Sequence, residues 1–265
     1  MNKIVLPNFI ENYEFVNLEA KRQYEKIILA LTFNIFSDLG FNEGIAGHIT
    51  LRDSIYPNLF WVNPFGMHFS LIEPEDLILV DWNGKIVEGK HTKVNLSAFI
   101  IHSSIHKTRN DVNAIVHAHS LYGRVWSTTG RLIEPVVIES TPFYNDHALF
   151  DDVAGVTCER DEGELLAKKL GSNKAIILKN HGHLTVGKTI EEAAWWFIAF
   201  ERAAQIQILS ESIGKPLSMN PIEAQRGYNE LGNSVAAQFQ FQPILEKKLS
   251  ENFKTLKKLQ KCFSK

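Results

Sequence analysis

The chain has 265 residues, 45% hydrophobic and 22% charged, with a formal net charge of −2. That length can bury one large core, or a core with a small appendage, without covalent staples. The near-neutral balance excludes the basic footprint of a nucleic-acid binder. Two cysteines, Cys158 and Cys262, exclude a disulfide framework and a cysteine-based zinc site. No run approaches the roughly 18 apolar residues of a membrane span, and the start, MNKIVLPNFIENYEF, lacks the pattern of a secretory signal, so a cytoplasmic protein is expected.

In chain order, Asn17 to Gly40 reads as a helix, with Asn17 as its cap, Tyr24, Ile28, Leu31 and Ile35 as its apolar stripe, and Gly40 as its stop. Short extended pieces follow, GHITLRD, LFWVN and DLILVD, with a tight turn at Trp82 to Lys85. VNLSAFIIHSSIHKTR is predicted helical, NAIVHAH a strand and LYGRVWSTT a helix. DEGELLAKKLG is a short helix stopped by Gly171, and KAIILKN a buried strand. The longest helix begins near Thr189, which is spaced from Glu192 as a capping box. Trp195, Trp196, Phe197 and Phe200 within it read as core or subunit interface. Beyond about Gly214 the stretch GKPLSMNPIEAQRGYNELGN is loop-like, and Leu245 to Lys265 forms a basic amphipathic tail expected to pack on its own domain or a neighbouring subunit. Residues 1–213 are read as one domain and 214–265 as a C-terminal loop and tail. Interleaved helices and strands indicate an α/β layered fold.

Two segments carry chemistry. IVHAHS ends an apolar strand with His117 and His119, two imidazoles that alternation sends to one face. LKNHGHLTVG follows another apolar strand and offers His181 or His183. Neutral imidazoles bind Zn(II), Fe(II), Co(II) and Ni(II), and three protein ligands with an open position is the catalytic arrangement. His102 and His106, at i and i+4 of a helix, form a rival pair, but Ser103 stands where a zinc protease would place its glutamate, so packing is expected there. Arg109 and Asp111 fit a turn.

With GIAGHITLR, IVHAHS and LKNHGHLTVGKTIEEAAWWFIAFERAAQIQ, the chain resembles the class II aldolase/adducin family from roughly Leu18 to Ser210. The resemblance implies an α/β/α three-layer sandwich around a mainly antiparallel sheet. It also implies a homotetramer with sites at subunit interfaces, and a divalent metal, zinc first with Fe(II), Mn or Co as alternatives, on His117, His119 and His181. His183 is then left as a supporting residue behind the ligands.

The chain departs from the family's sugar-phosphate aldolases at several positions. Ala98 occupies the place of their general acid/base glutamate, and an alanine moves no proton. In their phosphate pocket, Gly47 and Gly66 remain and Ser97 keeps one hydroxyl, but His48 replaces an asparagine and Phe65 a threonine. A phosphate needs several donors, so a small non-phosphorylated hydroxy- or oxo-acid is expected instead. His147, Tyr144 and His48 are the expected proton donors, and Glu139 is a weaker candidate. Three functions follow: a metal-dependent lyase working by aldol cleavage or decarboxylation, an iron oxygenase acting on an aromatic oxo-acid in a pocket lined by Phe65, Phe69 and Phe143, and a noncatalytic adducin-like module.

Overall fold

The computed structural model describes residues 14–152 and 160–263; Cys158 lies outside them, as do the side chains of Ser97 and Ala98. Helix α1 (Leu18–Asp38) starts where Asn17 accepts the Ala20 N–H at 2.8 Å, and it buries Tyr24, Ile28, Leu31 and Ile35 along its stripe. Strands β1 (His48–Arg52), β2 (Leu59–Val62), β3 (Ile78–Asp81) and β4 (Ile86–Glu88) form a meander. Helix α2 (Leu96–Thr108), β5 (Ala114–Ala118), α3 (Leu121–Ser127), β6 (His147–Phe150), α4 (Arg160–Leu170), β7 (Ala175–Leu178), β8 (Gly182–Gly187) and α5 (Ile190–Ile213) follow. The described strands make one eight-stranded sheet in the order β4-β3-β2-β1-β5-β8-β7-β6. Every neighbouring pair is antiparallel except β6–β7, which is parallel.

Two-residue alternation then builds three layers. On β5, Ala114, Val116 and Ala118 face α1 and α5, while Ile115 meets Ile105 of α2 and Leu166 of α4 on the other side. On β8, Leu184 and Val186 join that second face, which turns His183 and Thr185 toward α5. Each large apolar side chain taken fully out of water in this way stabilises by roughly 1.5–3 kcal/mol.

Three local expectations need correction. The stretch read as a loop contains α6 (Pro221–Leu231), begun by a full capping box in which Asn220 caps Glu223 and Pro221 takes the first turn. Its buried face is only Ala224 and Gly227, too small to register as an apolar stripe. His147 opens a strand and does not lie in a loop. At the start of α5, Thr189 accepts the Glu192 N–H at 3.2 Å, but Glu192 reaches back one residue further, to the Lys188 N–H at 2.8 Å. After α6 come α7 (Ser234–Ser250) and α8 (Phe253–Gln260). Their Phe241, Leu245, Leu249, Leu256 and Leu259 sit in the same core cluster as α1, so the tail closes the α1 layer.

One carboxylate beside that layer sets a pH dependence. Burial lifts Glu25 of α1 from 4.5 to about 7, with Lys21 opposing the shift. Because the folded value is the higher one, this group's contribution is present below about 4.5 and is lost as pH climbs through about 7. Glu25→Gln is therefore expected to raise the melting temperature at pH 8 more than at pH 5, which paired thermal melts would read; an equal change at both pH values would contradict it.

Candidate metal centre

The alternation that aims Ile115 at α2 also aims His117 there, and His119 follows just past the strand end. The third imidazole depends on a turn. Between β7 and β8, Asn180 takes a left-handed φ of 60° and donates its N–H to Ser127 O at 3.2 Å, and Gly182 sits at φ 153°, a conformation side chains other than hydrogen rarely permit. That backbone swings His181 to the His117 side while β8 carries His183 to the opposite one.

His117, His119 and His181 present ligand nitrogens that all lie within 4.8 Å of one another. The Nε2 atoms of His119 and His181 are 3.0 Å apart, close to the about 3.3 Å separating two nitrogens bound tetrahedrally to one zinc. Two facing imidazole nitrogens at that distance are either hydrogen-bonded to each other or share a cation. His117 Nδ1 donates to the His183 carbonyl at 2.8 Å, which fixes its tautomer and leaves Nε2 bare for a ligand bond. Burial first, and the neighbouring imidazoles next, hold His117 well below the ordinary imidazole range and push His119 down to about 4. Burial also lowers His181. Unprotonated imidazoles are the form that binds metal, so the residues present fit a divalent ion.

Of the expected proton donors, only His48 comes to this centre. It pairs with His117 across β1–β5, its ring centroid is 5.1 Å from that of His117, it is buried, and neither ring nitrogen has a hydrogen-bond partner among the described residues. An imidazole sealed from water without a partner is costly unless something else occupies its nitrogens. His147 is different. It lies on the α5 face against Phe143 and Phe200, its Nδ1 donates to Phe143 O at 2.6 Å, and its Nε2 accepts the Ile133 N–H at 2.9 Å. Both nitrogens are spent on the backbone, so His147 is a core histidine and the expectation of a donor there is corrected. Tyr144 is half-buried at the end of a 3-10 turn, Ile138–Phe143, with no ring contact or hydrogen bond joining it to the three histidines, and Glu139 is exposed in that turn.

Gly47, at φ 99°, passes so close to β5 that a Cβ would reach Phe69 Cζ at 3.0 Å and His117 O at 3.3 Å. Register places Val62 opposite Thr50, so Phe65 and Gly66 follow on the same sheet end as His48; Phe65 is 41% exposed. Phe143 is corrected as a pocket wall, because it is fully buried in the α5-side cluster. His183 supports the centre through its carbonyl, its ring being stacked between Phe197 and Phe200 at 3.9 and 4.5 Å. His102 and His106 pack inside, sharing the Thr50 hydroxyl at 2.8 and 3.0 Å.

One carboxylate near the centre escaped the sequence reading. Glu162, in the first turn of α4, raises the pKa of His181 against the larger lowering by burial. It comes near because Gly163 lets α4 close on α2, where a Cβ would meet Ser104 Oγ at 2.8 Å. A glycine inside a short amphipathic helix was the available signal.

The chain as a whole is similar to known proteins. The family model for the Class II Aldolase and Adducin N-terminal domain matches residues 28–208. The chain is 39% identical over 233 residues to Decarboxylase NovR of Streptomyces niveus, spanning 87% of this chain and 86% of that protein. It is 38% identical over 232 residues, 87% of this chain and 84% of the other, to the 4-hydroxy-3-prenylphenylpyruvate oxygenase/4-hydroxy-3-prenylbenzoate synthase of Streptomyces roseochromogenus subsp. oscitans. Among solved structures, L-fuculose 1-phosphate aldolase from Glaciozyma antarctica PI12 aligns with a TM-score of 0.85 and 38% identity over 93% of this chain and 96% of that one.

Proposed function

The chain belongs to the class II aldolase and adducin family, and from that premise we propose that it is a divalent-metal-dependent carbon–carbon lyase that decarboxylates a small non-phosphorylated oxo-acid. The observation that carries the reading is the convergence of His117, His119 and His181 beside an unpartnered, buried His48. A divalent ion, zinc as first candidate, would supply Lewis-acid stabilisation of the enolate left when the carboxylate of a 3-oxo-acid leaves as carbon dioxide. His48, kept in its neutral form chiefly by burial, has a ring N–H with no other hydrogen-bond partner among the described residues to give to the enolate carbon left behind. Decarboxylation needs no base to begin, which suits a chain with Ala98 in place of the aldolase glutamate. Phe65 brings no hydrogen-bond donor from its side chain for a phosphate. The enzyme is further proposed to act as a cytoplasmic homotetramer.

A second reading is supported by the relative named as a prenylphenylpyruvate oxygenase. The same three imidazoles suit Fe(II), and the substrate would then be an aryl oxo-acid. Metal-loaded protein given benzoylacetate, a 3-oxo-acid, and phenylpyruvate, a 2-oxo-acid, decides between the two. Carbon dioxide released from benzoylacetate without oxygen, with zinc or iron, supports the lyase; release from phenylpyruvate that requires iron and consumes oxygen supports the oxygenase; turnover in neither case points to the noncatalytic module.

His48→Ala should keep its metal and lose about 10²- to 10⁴-fold in turnover, the usual weight of a positioned proton donor. Metal analysis beside a kinetic assay tests this, and unchanged turnover would remove His48 from the chemistry.

A further inference from the structure

Arg124 is left over from this account. It sits on α3, which begins two residues after His119. Its Nε donates to Ser120 O at 3.3 Å and its Nη2 to Glu43 Oε2 at 2.9 Å. Its stem lines the gap at Gly182: a Cβ built there would lie 3.8 Å from Arg124 Cγ and 3.8 Å from His117 Cε1. The guanidinium thus extends from the wall of the metal centre, and its side chain is 35% exposed. Both charges of the pair act on His119, Arg124 lowering and Glu43 raising its tendency to protonate, beneath the larger effects of burial and His181.

We propose that Arg124 is the carboxylate-binding residue of the site, its guanidinium taking the carboxylate of an oxo-acid in place of Glu43. The proposal rests on the oxo-acid reading above. Three features support it. A guanidinium presents five donors in a planar fork, and Glu43 engages only Nη2, so a second carboxylate oxygen can still be met. Glu43 is 56% exposed, on a loop whose Gly44 and Gly47 take φ of 56° and 99°; exposed ion pairs contribute little to stability, so the pair is easily exchanged for a substrate carboxylate. Ile45, Leu121 and Val125, exposed on the same two segments, offer apolar surface for the remainder of an aryl or alkyl oxo-acid.

The test is calorimetric titration of the metal-loaded, oxygen-free 265-residue chain with phenylpyruvate and with phenylacetone, which keeps the ring and ketone but carries a methyl where the carboxylate was. Wild type should prefer phenylpyruvate. Arg124→Gln should weaken phenylpyruvate by about 10- to 100-fold, the loss expected for a charge-assisted hydrogen bond, with phenylacetone affinity, metal content and melting temperature unchanged. Arg124→Lys should fall between, lacking the fork, and Glu43→Gln should bind phenylpyruvate at least as tightly as wild type. If Arg124→Gln keeps the wild-type preference, Arg124 is not the anchor and the oxo-acid reading survives. If wild type itself shows no preference for the carboxylate, both fall together.

Discussion

His181→Ala protein is expected to come off a metal-free column without its ion while keeping its fold. The ring of His181 touches the rings of His117 and His119, at centroid distances of 4.9 and 5.0 Å, and it is half-buried in a turn. Its loss removes one of three ligands and little packing. Changing a residue that merely orients a ligand costs about 10- to 100-fold in metal affinity, so removing a ligand should cost at least about 100-fold. Ligand-linked stabilisation disappears with it: a site held at 100 times its dissociation constant adds about 2.7 kcal/mol to folding. Metal analysis after purification and thermal melts with and without added zinc measure both. Wild type should show a metal-dependent rise in melting temperature and the variant should not. Full retention of metal by the variant would mean that the three imidazoles do not share an ion.

The second large effect is expected from a residue that touches no ligand. Gly123 of α3 lies against β8, where an added Cβ would come within 2.2 Å of His183 Nδ1, 2.6 Å of its Cε1 and 3.1 Å of Glu201 Oε2. His183 cannot retreat, being stacked between Phe197 and Phe200. For Gly123→Ala, then, either α3 backs away or β8 moves. The first breaks the bonds that the buried Glu201 carboxylate accepts from the Tyr122 and Gly123 N–H groups at 2.8 and 2.6 Å. The second displaces the carbonyl that orients His117. Overpacking alone costs roughly 1–3 kcal/mol, and disturbing the orienting carbonyl should add a loss of about 10- to 100-fold in metal affinity. Denaturant unfolding and competitive metal titration read the two losses separately. A variant with wild-type stability and affinity would show that the α3–β8 contact yields without consequence.

Much of this architecture was already legible in the chain. Asn17 and the Tyr24–Ile35 stripe define α1, and Thr189 begins α5, because caps and the 3.6-residue period act over one or two turns and are written locally. Alternation alone puts His117 and His119 on one face. The α6 helix was hidden because its only buried residues are Ala224 and Gly227, and His147 was misplaced because a four-residue strand at a sheet edge has too little pattern to announce itself.

What the amino-acid sequence determined by itself is most of the elements, the family they resemble, the pair His117 and His119 as candidate ligands and, through that resemblance, His181 as the third. Only the tertiary structure brought the His181 nitrogen to within 4.8 Å of those of His117 and His119, turned His183 to the other face, placed His48 and not His147 beside them, and brought Arg124 and Glu162 near. The physical reason is the range of the forces involved. Hydrogen-bonded periodicity links neighbours a few residues apart, whereas the register Thr50–Val62 and His48–His117, the φ of Asn180 and Gly182, and the close seat of Gly163 on α2 are settled by packing between segments far apart in the chain.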